Sequence, residues 1–136
     1  MSLEVHLRIV GLSLIALALL HTAMPRRFNW RAELQSVTLL TRQMFYGHVF
    51  FIALMCWMIG LLAVLNARDL IQPSGLGRTI TTGLAAFWAL RLGFQFFYYD
   101  SALWRGHRFN TVMHICFSAL WFYYAVVFGM AAMRQW

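Results

Sequence analysis

Three histidines, an arginine and a glutamine stand inside otherwise apolar stretches of this 136-residue chain: His21, His48, His114, Arg91 and Gln95. Burying an ionisable group at membrane depth is costly, about 2.5–3.5 kcal/mol for a central Arg on insertion scales. Such residues are therefore where function is sought first. Imidazole can ligate iron, zinc or copper, or exchange hydrogen bonds, while guanidinium and carboxamide groups donate to carbonyls and anions. Arg91 and Gln95 are four residues apart and share a helix face, which Tyr98 continues. The only acids, Glu4, Glu33, Asp69 and Asp100, lie outside the apolar stretches. That excludes a di-iron carboxylate centre and acid–base chemistry by paired carboxylates. No G-x-S-x-G, H-E-x-x-H or P-loop pattern occurs.

The elements that must position these side chains follow from composition. Hydrophobic residues make up 62% of the chain and charged residues 11%, against about 25% charged in soluble domains. A disordered chain or a soluble domain is excluded, and a single transmembrane domain over the whole chain is expected. Four apolar segments of spanning length run from about Leu7 to Ala23, Met44 to Leu65, Thr79 to Tyr99 and Asn110 to Met133. Pro25-Arg26-Arg27 is expected to close the first. Between the first two, about residues 29–41 place Trp30, Leu34 and Val37 at helical spacing among polar residues, with Asn29 as a possible cap. This predicts an amphipathic helix lying in the interface. The stretch from Asn66 to Arg78 reads as a loop, and the short stretch from Asp100 to Arg108 makes the last two spans antiparallel neighbours. The expected fold is all-α: an antiparallel four-helix transmembrane bundle.

Four spans put both termini on one side. Arg26, Arg27, Arg31, Arg42, Arg105 and Arg108 fall on the opposite face and Arg8, Arg68, Arg78 and Arg134 on the terminal face, six against four. This favours non-cytoplasmic termini. All eleven basic residues are Arg and the net charge is +7. They stand singly at the ends of apolar segments, which suits lipid headgroups and not nucleic acid. The absence of Lys fits a GC-rich bacterial genome. Glu4 and the lack of an A-x-A-like site argue against a cleaved signal peptide. Cys56 and Cys116 read as small buried hydrophobes, His6 and His107 as solvated or interfacial, and Ala85, Ala89 and Gly93 as a packing stripe.

Alternating helix direction brings the five polar side chains into one leaflet. Three chemistries fit. A b-type haem could be held by His48 and His114 on two parallel spans, with Arg42, Arg105 and Arg108 pairing its propionates and Phe45, Phe51, Phe117 and Trp121 lining the ring. This arrangement resembles the four-helix membrane cytochromes b, a likeness that implies electron transfer. A zinc or copper ion could take nitrogens from His21, His48 and His114. A quinone could accept hydrogen bonds from His21, Arg91, Gln95 and Tyr98, and could coexist with haem. Against these stands a non-catalytic subunit or partner-binding protein, in a larger membrane complex or homo-oligomer, whose polar cluster only sets helix register. As a whole the chain resembles a type of small four-span bacterial inner-membrane protein. The likeness rests on Pro25-Arg26-Arg27-Phe28-Asn29-Trp30-Arg31, Thr41-Arg42-Gln43-Met44-Phe45 and Leu103-Trp104-Arg105-Gly106. It implies fold and location only.

Overall fold

Apolar segments of this length must satisfy their own backbone hydrogen bonds, and helices do so locally. A computed structural model describes residues 1–135. Its described residues form five α-helices and no strand: α1 (Leu3–Arg27), α2 (Trp30–Glu33), α3 (Leu39–Leu65), α4 (Gly75–Phe97) and α5 (Arg108–Met133). Three of them, α1, α3 and α5, are long and apolar enough to cross a membrane. Helix α4 has 23 residues, about 34 Å at 1.5 Å each. Arg78, Thr79, Thr81, Thr82, Arg91 and Gln95 make it more polar than the other three. The described chain divides into two compact units, one of Arg8–Asn66 and one of Met1–Leu7 with the residues from Ala67 onward.

In the Arg8–Asn66 unit, α1 and α3 meet backbone to backbone. A Cβ added to Gly11 would lie 2.6 Å from the Gly60 carbonyl oxygen, and one added to Gly60 would lie 2.8 Å from that of Gly11. Only residues without a Cβ fit there. Helix α1 does not stop at Pro25 but runs two residues past it. Proline removes the single bond to the His21 carbonyl, while Phe28 N–H still bonds Met24 O at 3.0 Å.

The amphipathic helix expected over 29–41 is not continuous. One turn, α2, is followed by a 3-10 turn over Leu34–Ser36, and Val37 is extended (φ −94°, ψ 159°). Thr38 then caps α3, its hydroxyl accepting from Thr41 N–H at 3.3 Å. That cap starts α3 five residues before the expected boundary. Asn29 makes no side-chain cap. It sits in the left-handed region (φ 49°), and its carbonyl accepts from Ala32 and Glu33 N–H.

In the other unit, α4 and α5 form an antiparallel hairpin. At its closed end Gln95 of α4 bonds His114 of α5. At the open end Gln135 Nε2 donates to Leu70 O at 2.6 Å, beside Gly77 at the start of α4. Ser74 caps α4 by accepting from Gly77 N–H at 2.9 Å, which moves its start ahead of the expected Thr79. The turn between the helices is built by Asp100 Oδ1, which accepts from Ala102 N–H, and by Gly106 at φ 82°. Asn110 Nδ2 and Thr111 Oγ1 donate back to the Leu103 and Trp104 carbonyls at 2.8 and 2.7 Å. Trp88 and Trp121 stack between the helices, with centroids 5.0 Å apart and planes at 13°, and Tyr124 and Phe128 are fully buried.

Candidate functional site: the Arg91–Gln95–His114 relay

One turn of α4 carries Arg91 and Gln95 on the face that meets α5, and the first turns of α5 bring His114 to the same level. Arg91 Nη1 donates to Gln95 Oε1 at 3.2 Å, and Gln95 Nε2 lies 2.8 Å from His114 Nδ1. Gln95 is buried, Arg91 and His114 half-buried. The Arg91 guanidinium also lies over the Trp121 ring (5.1 Å to its centroid) and the Tyr99 ring (5.8 Å). Two ring faces and an amide oxygen thus surround the cation.

These partners settle the direction of both hydrogen bonds in the relay. Arginine only donates, so the amide atom facing it is the oxygen. The amide nitrogen then donates to His114 Nδ1, which must accept. In the neutral imidazole the hydrogen consequently resides on Nε2. That N–H has no hydrogen-bond partner among the described residues. The ring is held in place from its flat side by Trp104, at a centroid distance of 3.9 Å and 17°, and from its edge by Phe96. As bonded here, His114 offers a fixed N–H to an acceptor. It does not offer a lone pair to iron or zinc.

His21 and His48 belong to the Arg8–Asn66 unit and are bonded in the opposite sense. Their Nδ1 atoms donate to the Leu17 and Met44 carbonyls one turn earlier, each at 2.7 Å. The neutral rings keep an Nε2 lone pair, the form that binds metals. His21 is half-buried and His48 exposed. Among the described residues no group of three or more His, Cys, Asp and Glu side chains surrounds a potential metal position.

The other expected site residues are placed as follows. Tyr98 does not continue the Arg91–Gln95 face: α4 ends at Phe97, and Tyr98 is 72% exposed against Phe94 and Tyr99. Tyr99 takes the place beside Arg91. Arg105 and Arg108 are exposed around the start of α5, and Arg42 is half-buried in the first turn of α3. Phe117 stacks on Trp121, but Phe51 is exposed beside Phe50, and Phe45 packs on Trp30. Gly93 of the small-residue stripe faces open space and Ala89 is exposed. Cys56 is buried but Cys116 is exposed. His6 is not simply solvated, since its Nδ1 shares a 2.8 Å hydrogen bond with Tyr123 OH.

Trp104 and Tyr99 were not legible as site residues. Both lie at or beyond helix ends, where helical periodicity says nothing about direction. Trp121 was legible only as an aromatic of the right depth. No family model, curated protein or solved structure matches the chain.

Proposed function

We propose that this protein is an integral membrane protein of four spans that binds the head of a lipid-soluble quinone at the relay, for electron transfer within one leaflet. The observation that carries the reading is the fixed, unpartnered Nε2–H of His114. A neutral carbonyl is the acceptor such a donor suits, and an aromatic wall of Trp104 and Phe96 suits a quinone ring. The Arg91 charge, passed through the Gln95 amide, strengthens the His114 donor by polarising the chain. Helix α4 is the fourth span in this reading. Its polar residues are tolerated because Arg91 and Gln95 are satisfied internally and it lies along α5. The bacterial inner membrane and non-cytoplasmic termini complete the proposal.

A b-type haem is less well supported, because His114 presents N–H where an iron ligand needs a lone pair. The competing reading is structural. The same three side chains satisfy one another, so the relay could serve only to lock α4 against α5 in an accessory subunit. Extraction of co-purified lipids separates these readings. About one quinone per chain, lost in Gln95→Leu and His114→Phe proteins that keep their helix content, supports the proposal. A Soret band that vanishes in both His48→Ala and His114→Ala would establish haem instead. A colourless, quinone-free protein from quinone-replete membranes leaves the structural reading.

A further inference from the structure

The most basic surface of the Arg8–Asn66 unit is remote in sequence from the relay. Helix α1 ends on Arg26 and Arg27, α2 carries Arg31, and Arg42 stands in the first turn of α3. Glu33 is the one acid among them. An aromatic cluster ties together the three segments that carry them. Trp30 packs edge-on against Phe45 at 4.9 Å, stacks with Phe28 at 6.4 Å and meets Tyr46 at 6.5 Å, and the Arg27 guanidinium lies over Phe28. The side chains of Arg26, Arg31 and Arg42 have no hydrogen bond or ion pair among the described residues. Arg42 is nevertheless half-buried.

Depth follows from the helices. Both α1 and α3 are candidate spans, and the chain between them, coiled into α2 and a 3-10 turn, does not reach across a bilayer again. Their joined ends therefore stand at one headgroup layer, where Trp and Tyr favour the interface. Guanidinium forks match phosphate oxygens two bonds at a time, and arginine-rich juxtamembrane clusters draw anionic lipid. We propose that Arg26, Arg31 and Arg42, held by the Trp30–Phe45–Phe28 cluster, form a binding site for the phosphate of an anionic phospholipid. The acyl chains would lie along α3 below Tyr46. This site uses none of the relay residues.

Native mass spectrometry of the detergent-purified full chain tests it, with phosphatidylglycerol, diphosphatidylglycerol and phosphatidylethanolamine as probes. The wild-type chain should retain the two anionic lipids over the zwitterionic one. Each arginine removed should lower that preference roughly fivefold, so Arg31→Gln with Arg42→Gln should nearly abolish it. Arg134→Gln, at the far end of α5, should leave it unchanged. Should the double variant aggregate, the salt dependence of the wild-type chain decides. Retention of phosphatidylglycerol should fall as salt rises, while that of phosphatidylethanolamine should not. Equal retention of all three lipids, retention unaffected by the double substitution or by salt, or displacement by inorganic phosphate at the lipid's own concentration would each overturn the proposal.

Discussion

The α1–α3 pair and the α4–α5 hairpin are helix pairs of similar length, yet they are held by different means. The first closes on two glycines, each set against the other's backbone oxygen. The second is spaced by indoles and phenols and carries a hydrogen-bonded chain from Arg91 to His114. Close backbone approach leaves no room for a ligand, whereas a contact spaced by large rings can lodge polar groups beside it. In the proposed reading the chemistry belongs to the pair that is spaced by rings and more polar. Hydropathy alone would have ranked the two pairs the other way, since α4 is the helix that fails to read as a clear span.

The sharpest way to break the contrast is at the glycines. Gly60→Val should force the α1–α3 crossing apart and cost about 3 kcal/mol, the upper end for overpacking. Denaturant titration in mild detergent measures it, and a loss under 0.5 kcal/mol would mean the crossing is not tight. Gln95→Leu is next. It strips acceptor and donor from two neighbours at once in a buried position, with an expected cost of about 1–3 kcal/mol. In the proposed reading it also removes quinone retention, whereas Gly60→Val leaves the relay's own bonds in place.

Trp104→Ala should cost about 0.5–1.5 kcal/mol through the lost stack on His114. Its larger effect should be looser ligand retention, visible as faster quinone loss on washing. The same washing assay on a Tyr98→Phe protein should show no change, because Tyr98 lies outside the cluster. Glu4→Gln tests the weakest link. Its ion pair to Arg68 spans 3.3 Å with Arg68 largely exposed, and such pairs contribute less than about 1 kcal/mol. Finally, Gly93→Ala meets open space and should be neutral or stabilising by up to about 1 kcal/mol. A destabilisation there would reveal a helix seated on the small-residue stripe.

Composition and run length by themselves determined that the chain is helical, and they marked four candidate spans, of which α1, α3 and α5 are long and apolar enough to cross a membrane. The reason is that an apolar run of spanning length leaves the backbone no partner but itself. The four-residue spacing likewise determined that Arg91 and Gln95 share a face. Periodicity ended where helices ended: the Val37 break, the early Thr38 and Ser74 caps and the exposure of Tyr98 depend on local hydrogen bonds that no period encodes. Which glycines would be crossing points was also undecidable from spacing. Ala85, Ala89 and Gly93 present the regular stripe, but Gly11 and Gly60 make the contact, because a crossing needs one small residue on each of two helices distant in sequence. The tautomer of His114 was the least legible feature of all. It depends on which atom of Gln95 faces which neighbour, and only the tertiary structure brings a donor-only arginine, an amide and an imidazole from two helices into one line.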